Sequence, residues 1–124
     1  VGGLIEGWPD EAEIVNEAGE RASLLVQDYY EPAGKEDKLA EIAKAYENGR
    51  ESNSWVINHC SAYVASGYGE NSQNVNSDVA DMLANGRGKA GIMLMDFAGT
   101  EEYDGWHVAG TKLTYAVIAN NFEK

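Results

Sequence analysis

The sequence predicts an α/β protein built from three consecutive strand-helix units of a parallel barrel. Three observations predict this. Short apolar runs stand at 22–27 (ASLLVQ), 54–58 (SWVIN) and 90–95 (AGIMLM). Continuous runs of this length fit strands buried on both faces of a parallel sheet. Each run is followed by residues with helical periodicity, so strand and helix alternate three times, the pattern of right-handed βαβ crossovers.

The elements follow in order. Residues 1–20 are irregular, and Gly2-Gly3 and Trp8-Pro9-Asp10 read as loop. The first strand is expected near 22–28. Leu39, Ile42, Ala43 and Tyr46 then fall at i, i+3, i+4 and i+7, one stripe of a helix expected near 36–48. Asn48-Gly49 supplies its stop. The second strand is expected near 53–58. The segment 64–76 (VASGYGENSQNVN) reads as a polar, glycine-rich loop. A helix near 76–85 follows, with Val79, Met82 and Leu83 as its stripe, Ser77 as N-cap and Asn85-Gly86 as stop. The third strand is expected near 90–96, followed by a second glycine-rich loop at 98–110 (AGTEEYDGWHVAG). The last helix is expected near 111–121, with Thr111 as N-cap and Leu113, Ala116, Val117 and Asn120 on one face.

An eight-unit TIM-like (β/α) barrel takes about 250 residues, and this sequence has 124. It is therefore expected to be the C-terminal portion of a barrel, about three units, with the N-terminal half outside this chain. On that expectation, barrel-facing side chains such as Leu25, Ile57 and Leu94 lack their opposite wall, and the sheet has open edges.

The composition bounds the function. With 9 basic against 21 acidic residues, the formal net charge is −12. That excludes nucleic acid as a partner, because a phosphate backbone selects basic surfaces. It also excludes adhesion to anionic membranes by charge alone. No 18-residue apolar run exists to span a bilayer. No signal peptide is visible, and in a C-terminal portion a signal would sit upstream. The single cysteine, Cys60, rules out an intrachain disulfide.

The chemistry-bearing residues stand where the apolar runs end. The first run ends at Asp28-Tyr29-Tyr30, the second at Asn58-His59 and the third at Asp96. A carboxylate closing a buried strand is costly unless hydrogen-bonded or facing a cleft. In barrels the C-terminal ends of the strands carry the catalytic groups. Asp28, Asn58 and Asp96 are therefore expected to point into one cleft.

These residues also carry a resemblance. Trp8-Pro9-Asp10, Val26-Gln27-Asp28-Tyr29-Tyr30, Asp37-Lys38-Leu39, Trp55-Val56-Ile57-Asn58 with Ser61, Ile92-Met93-Leu94-Met95-Asp96-Phe97 and Ala116-Val117-Ile118-Ala119-Asn120-Asn121 occur in the order and spacing of bacterial phosphatidylinositol-specific phospholipases C. From Gly2 to Asn120 the chain resembles the C-terminal part of that family's barrel. The resemblance implies cleavage of the phosphoric diester of phosphatidylinositol without cofactor or metal. It implies that Asp28 bonds inositol hydroxyls, that Tyr30 stacks on the inositol ring and that Trp8 and Asp10 line the same pocket. It gives Asp96 the role of orienting the general-base histidine of the missing half. Physical chemistry agrees. Polyol hydroxyls suit carboxylate acceptors, a ring's C–H face suits an aromatic platform, and a base imidazole needs its second nitrogen held. The resemblance further implies phosphatidylinositol or an inositol phosphate head group as partner, transient contact with a membrane surface and an extracellular or cell-surface location.

The departures are as informative. The family's two catalytic histidines and its phosphate-binding arginine fall in the N-terminal half. Neither His59 nor His107 stands at a matching position, and His107 reads as structural. The segment 62–72 offers only Tyr63 and Tyr68 as interfacial aromatics. Cys60 beside His59 in sequence is not the spatial pairing of a nucleophile. Glu101, Glu102 and Asp104 read as a solvated acidic run, not a metal site. Gly86-Arg87-Gly88-Lys89 is too short for a phosphate loop. Two alternatives stay open: a non-catalytic binding module of the same fold, and a glycerophosphodiesterase-like barrel.

Overall fold

The computed structural model describes residues 16–17, 23–86 and 89–122. Trp8 and Asp10 lie outside the described residues. A four-stranded sheet has the order β1 (Asn16–Glu17), β2 (Ser23–Gln27), β3 (Trp55–His59), β4 (Ile92–Leu94). β2, β3 and β4 are parallel, as expected, and the short β1 runs antiparallel to β2. The crossovers carry helices α1 (Lys35–Arg50) and α2 (Tyr68–Asn85), and α3 (Gly110–Phe122) follows β4. Among the described residues no helix is long and apolar enough to cross a membrane.

The helices cover one face of the sheet. Ile42, Tyr46, Cys60, Val75, Val79, Ala80, Leu83, Ala90 and Leu113 form one buried cluster between sheet and helices. Asn120 joins all three helices, its amide donating to Tyr46 Oη at 3.2 Å and to the Leu83 carbonyl at 3.4 Å. Ladder register fixes which strand residues share that face. Leu25 pairs with Val56, and Gln27 with Asn58. Val56 packs on Gly49 of α1, and Asn58 bonds the Ile42 carbonyl, so all four look toward α1. Leu25, expected on the barrel-facing side, is thus a helix-side core residue, 4% exposed. Alternation puts Ile57 and its partner Ile92, and His59 and its partner Leu94, on the opposite face.

Three boundaries differ from expectation. α1 runs one residue past Gly49, because that glycine serves a contact: a side chain there would collide with Val56. α2 begins at Tyr68, eight residues before the expected 76, so Ser77 lies in mid-helix, not at its N-cap. Gly, Asn and Ser are poor helix formers, but tertiary contacts override propensity here. Asn71 Nδ2 donates to the Cys60 carbonyl at 3.1 Å and Asn76 Nδ2 to the Val108 carbonyl at 2.9 Å. A Cβ on Gly69 would lie 2.5 Å from the Trp106 ring, so only glycine admits that ring. Thr111 lies inside the first turn of α3, which begins at Gly110.

The second loop also holds structure. Glu102–Tyr103 (β5) and Trp106–His107 (β6) pair as an antiparallel hairpin. Its turn is Asp104-Gly105, both at positive φ (47° and 82°). An Asp-Gly turn of this kind matches the twist of two short strands.

Candidate active site at the strand C-terminal ends

Parallel strands put Asp28, His59 and Asp96 at one end of the sheet. Asp28 follows Gln27, and Gln27 is level with Asn58, so Asp28 comes level with His59. His59 Nδ1 lies 3.5 Å from Asp28 Oδ1, both side chains being mostly shielded. Burial pushes the His59 pKa down, against the pull of the Asp28 carboxylate. The imidazole is therefore neutral at neutral pH. Asp96 stands two residues beyond Leu94, the β4 partner of His59. Strands β2 and β4 flank β3, so the two carboxylates rise from strands roughly 10 Å apart, twice the inter-strand spacing.

Asp96 is partly buried. Its carboxyl pKa is raised by burial. Its Oδ2 is buried without a hydrogen-bond partner among the described residues. Its main-chain carbonyl accepts a 3.4 Å bond from Asn76 Nδ2, and the next residue, Phe97, has φ 60°. An orphaned buried carboxylate oxygen is expensive.

Asn58 does not join Asp28 and His59. It is fully buried on the α1 side, accepting from Gln27 Nε2 at 2.8 Å and donating to the Ile42 carbonyl at 3.0 Å. Its position fixes its face: in an alternating strand the neighbour His59, not Asn58, looks away from α1. The β3 residue beside Asp28 is thus His59.

Behind Asp28 lies a closed polar network that the sequence reading missed. Lys38, on the buried stripe of α1, is wholly shielded from solvent. Its Nζ donates to the Tyr29 carbonyl at 2.8 Å and to Gln27 Oε1 at 3.2 Å. Gln27 Oε1 also accepts from the Tyr29 amide at 2.7 Å, while Gln27 Nε2 reaches the His59 carbonyl at 2.8 Å. Burial lowers the Lys38 pKa to about 8. The available signal was spacing: Lys38 stands four residues before Ile42, on the helix stripe, where an apolar residue was due.

Tyr30 sits exposed on the rim. Its ring stacks on Tyr63 with centroids 6.2 Å apart, and its carbonyl accepts the Tyr63 amide at 2.7 Å. A hydrogen bond with Tyr68 raises the Tyr30 phenol pKa. Beside this rim, Glu31, Lys35, Tyr63, Glu70 and Asn74 help to line a cavity of about 530 Å³.

The remaining groups lie off the cleft. His107 Nδ1 pairs with Glu102 Oε1 at 2.8 Å on the exposed hairpin. Cys60 is fully buried and its thiol is pushed up to about 12, which removes it as a nucleophile.

No family model matches the sequence, and no curated protein matches it. Solved structures do. A histidine-to-tyrosine variant of the phosphatidylinositol-specific phospholipase C of Staphylococcus aureus superposes with a TM-score of 0.75 at 19% identity, covering 94% of this chain and 39% of that one. A doubly substituted tyrosine variant of the enzyme gives 0.75 at 18%, covering 96% and 40%. A structure addressing modulation of that enzyme's membrane binding gives 0.73 at 18%, covering 94% and 39%. The chain spans about two fifths of the length of these enzymes. It has the α/β fold of one part of the phosphatidylinositol-specific phospholipase C barrel.

Proposed function

We propose that this chain is the inositol-binding and base-orienting part of a barrel that cleaves phosphatidylinositol. The observation that carries the reading is Asp96: a buried carboxylate oxygen without a donor among the described residues, at the same strand ends as Asp28 and Tyr30. A histidine from the remaining barrel units would donate its N–H to that oxygen and offer its other nitrogen as base. In the reaction the inositol 2-hydroxyl gives its proton to that base while its oxygen attacks phosphorus. The bond from phosphorus to the glycerol oxygen breaks, and an acid protonates the leaving diacylglycerol. The cyclic inositol phosphate is the other product. Asp28 accepts hydrogen bonds from ring hydroxyls, its carboxylate steadied by neutral His59. Tyr30, held against Tyr63, gives the ring a flat apolar wall. Trp8, Asp10 and the N-terminal units belong to this proposal as the rest of the pocket.

A binding role without turnover is favoured by one observation. Lys38, the buried cation behind Asp28, directs both of its side-chain hydrogen bonds to Gln27 and Tyr29. Without a cationic clamp on the phosphate from the remaining barrel units, the site binds and does not turn over. The reading also carries an extracellular or cell-surface location, which fractionation of producing cells would check. Titration of the intact protein with myo-inositol tests the reading. Saturable binding lost in Asp28→Asn supports it, and binding unchanged by Asp28→Asn overturns it.

A further inference from the structure

We infer that Lys38 is the positioning residue that sets where the Asp28 carboxylate points. The inference deepens the function proposed above and rests on it only for the meaning of Asp28. Lys38 Nζ bonds the residues on both sides of Asp28: the Gln27 side chain before it and the Tyr29 carbonyl after it. The Tyr29 amide returns to the same Gln27 oxygen. Asp28 is thereby the middle residue of a loop closed at both ends by one ammonium group. Gln27 carries the brace across to β3, through the Asn58 side chain and the His59 carbonyl. The two residues that meet at the strand ends, Asp28 and His59, thus share one support on the far side of the sheet.

The choice of residue makes the point sharper. A wholly shielded side chain on the apolar stripe of α1 would hold the helix at least as well as methionine. Burial disfavours the charged amine, visible in its lowered pKa. Replacement of a buried charge by an apolar side chain of similar length is often neutral or stabilising. Both side-chain bonds of Lys38 run to the end of β2, so what the charge maintains is the geometry at Asp28.

A double-substitution cycle on the intact protein separates positioning from packing. Asp28 raises the His59 pKa. Asp28→Asn should therefore lower it, as read by NMR of the His59 ring, assigned through His59→Gln. In the Lys38→Met background that shift is expected to shrink by more than half, with the protein still folded. Lys38→Gln, which keeps a donor without the charge, is expected to fall between, and it carries the test should Lys38→Met fail to fold. An equal Asp28→Asn shift in all backgrounds would overturn the inference, because Lys38 would then be packing alone. Myo-inositol titration separates this result from the function. Binding about tenfold weaker in Lys38→Met supports both. A wild-type protein that binds no inositol while the cycle shrinks as stated overturns the functional reading and leaves the role of Lys38 standing.

Discussion

The two faces of the sheet are finished to different degrees. On the helix side β2 and β3 are enclosed: Leu25, Val56, Gln27 and Asn58 are buried, Gln27 and Asn58 are hydrogen-bonded, and Met93 of β4 is partly buried. On the other face, toward β4, apolar side chains stand in the open. Ile92 is 46% exposed, Leu94 41% and Trp55, at the strand starts, 65%. At β2 that same face is closed, Val26 being fully buried. The exposed end of the sheet is thus the β4 side, where further barrel units would attach. The difference teaches that the buried packing is concentrated in the helix layer, while the β4 side of the other face stays open.

The helix side should respond most strongly to truncation. Leu83→Ala is expected to cost about 2–5 kcal/mol, because the cavity it leaves lies among Tyr46, Val79 and Leu113 in a closed layer. Denaturant unfolding measures it, and a cost below about 1 kcal/mol would mean that the layer is loosely packed.

The next effect separates function from stability on the unfinished face. In the intact enzyme, Asp96→Asn should lower kcat about 100-fold, or about 2.7 kcal/mol, with KM nearly unchanged, since it mis-orients a base without removing a substrate contact. The same change should leave the fold as stable or more stable at neutral pH. The folded-state pKa of Asp96 is raised, so its contribution is present at low pH and lost as pH rises through that value. A rise in KM with unchanged kcat would assign Asp96 to binding instead.

Lys38 gives a smaller, pH-dependent signature. Its pKa is about 8 when folded against 10.5 for an ordinary lysine. Between those values the unfolded chain holds a proton that the folded one has released, so stability rises with pH. From pH 9 upward Cys60 opposes this, its thiol being pushed from 9.0 to about 12 by burial. The rise is therefore readable between pH 8 and 9, at up to about 1.4 kcal/mol per pH unit. It should vanish in Lys38→Met, and its persistence there would trace it to another group.

The parallel sheet and three helices were legible because apolar runs and helical stripes are local signals. So was the placing of Asp28 and Asp96 at strand ends. Asn58 was misjudged because strand end and strand face are different facts: one residue of register separates a cleft residue from a core residue. The early start of α2 was hidden because Asn71, Asn76 and Gly69 read as loop residues until Cys60, Val108 and Trp106 supply their contacts. The β5–β6 hairpin was legible in Asp104-Gly105 and was passed over as composition. Lys38 was visible as a charge on an apolar stripe, but its partners on β2 were not.

The smallest expected effects lie where the sheet is open. In the 124-residue chain alone, Ile92→Ser and Leu94→Ser should each change stability by no more than about 0.5 kcal/mol. In a completed barrel the same changes should cost roughly 1.5–3 kcal/mol, because the opposite wall would bury them. Equal costs in both settings would contradict an unfinished face.

Sedimentation velocity of the isolated 124 residues tests most directly the proposal that further barrel units complete this chain. The outer edge of β4, which no described strand pairs, and the exposed Trp55, Ile92 and Leu94 predict concentration-dependent self-association. A cooperative monomer across the accessible concentration range would contradict the claim, and cleavage of phosphatidylinositol by that monomer would contradict the division of catalytic labour as well.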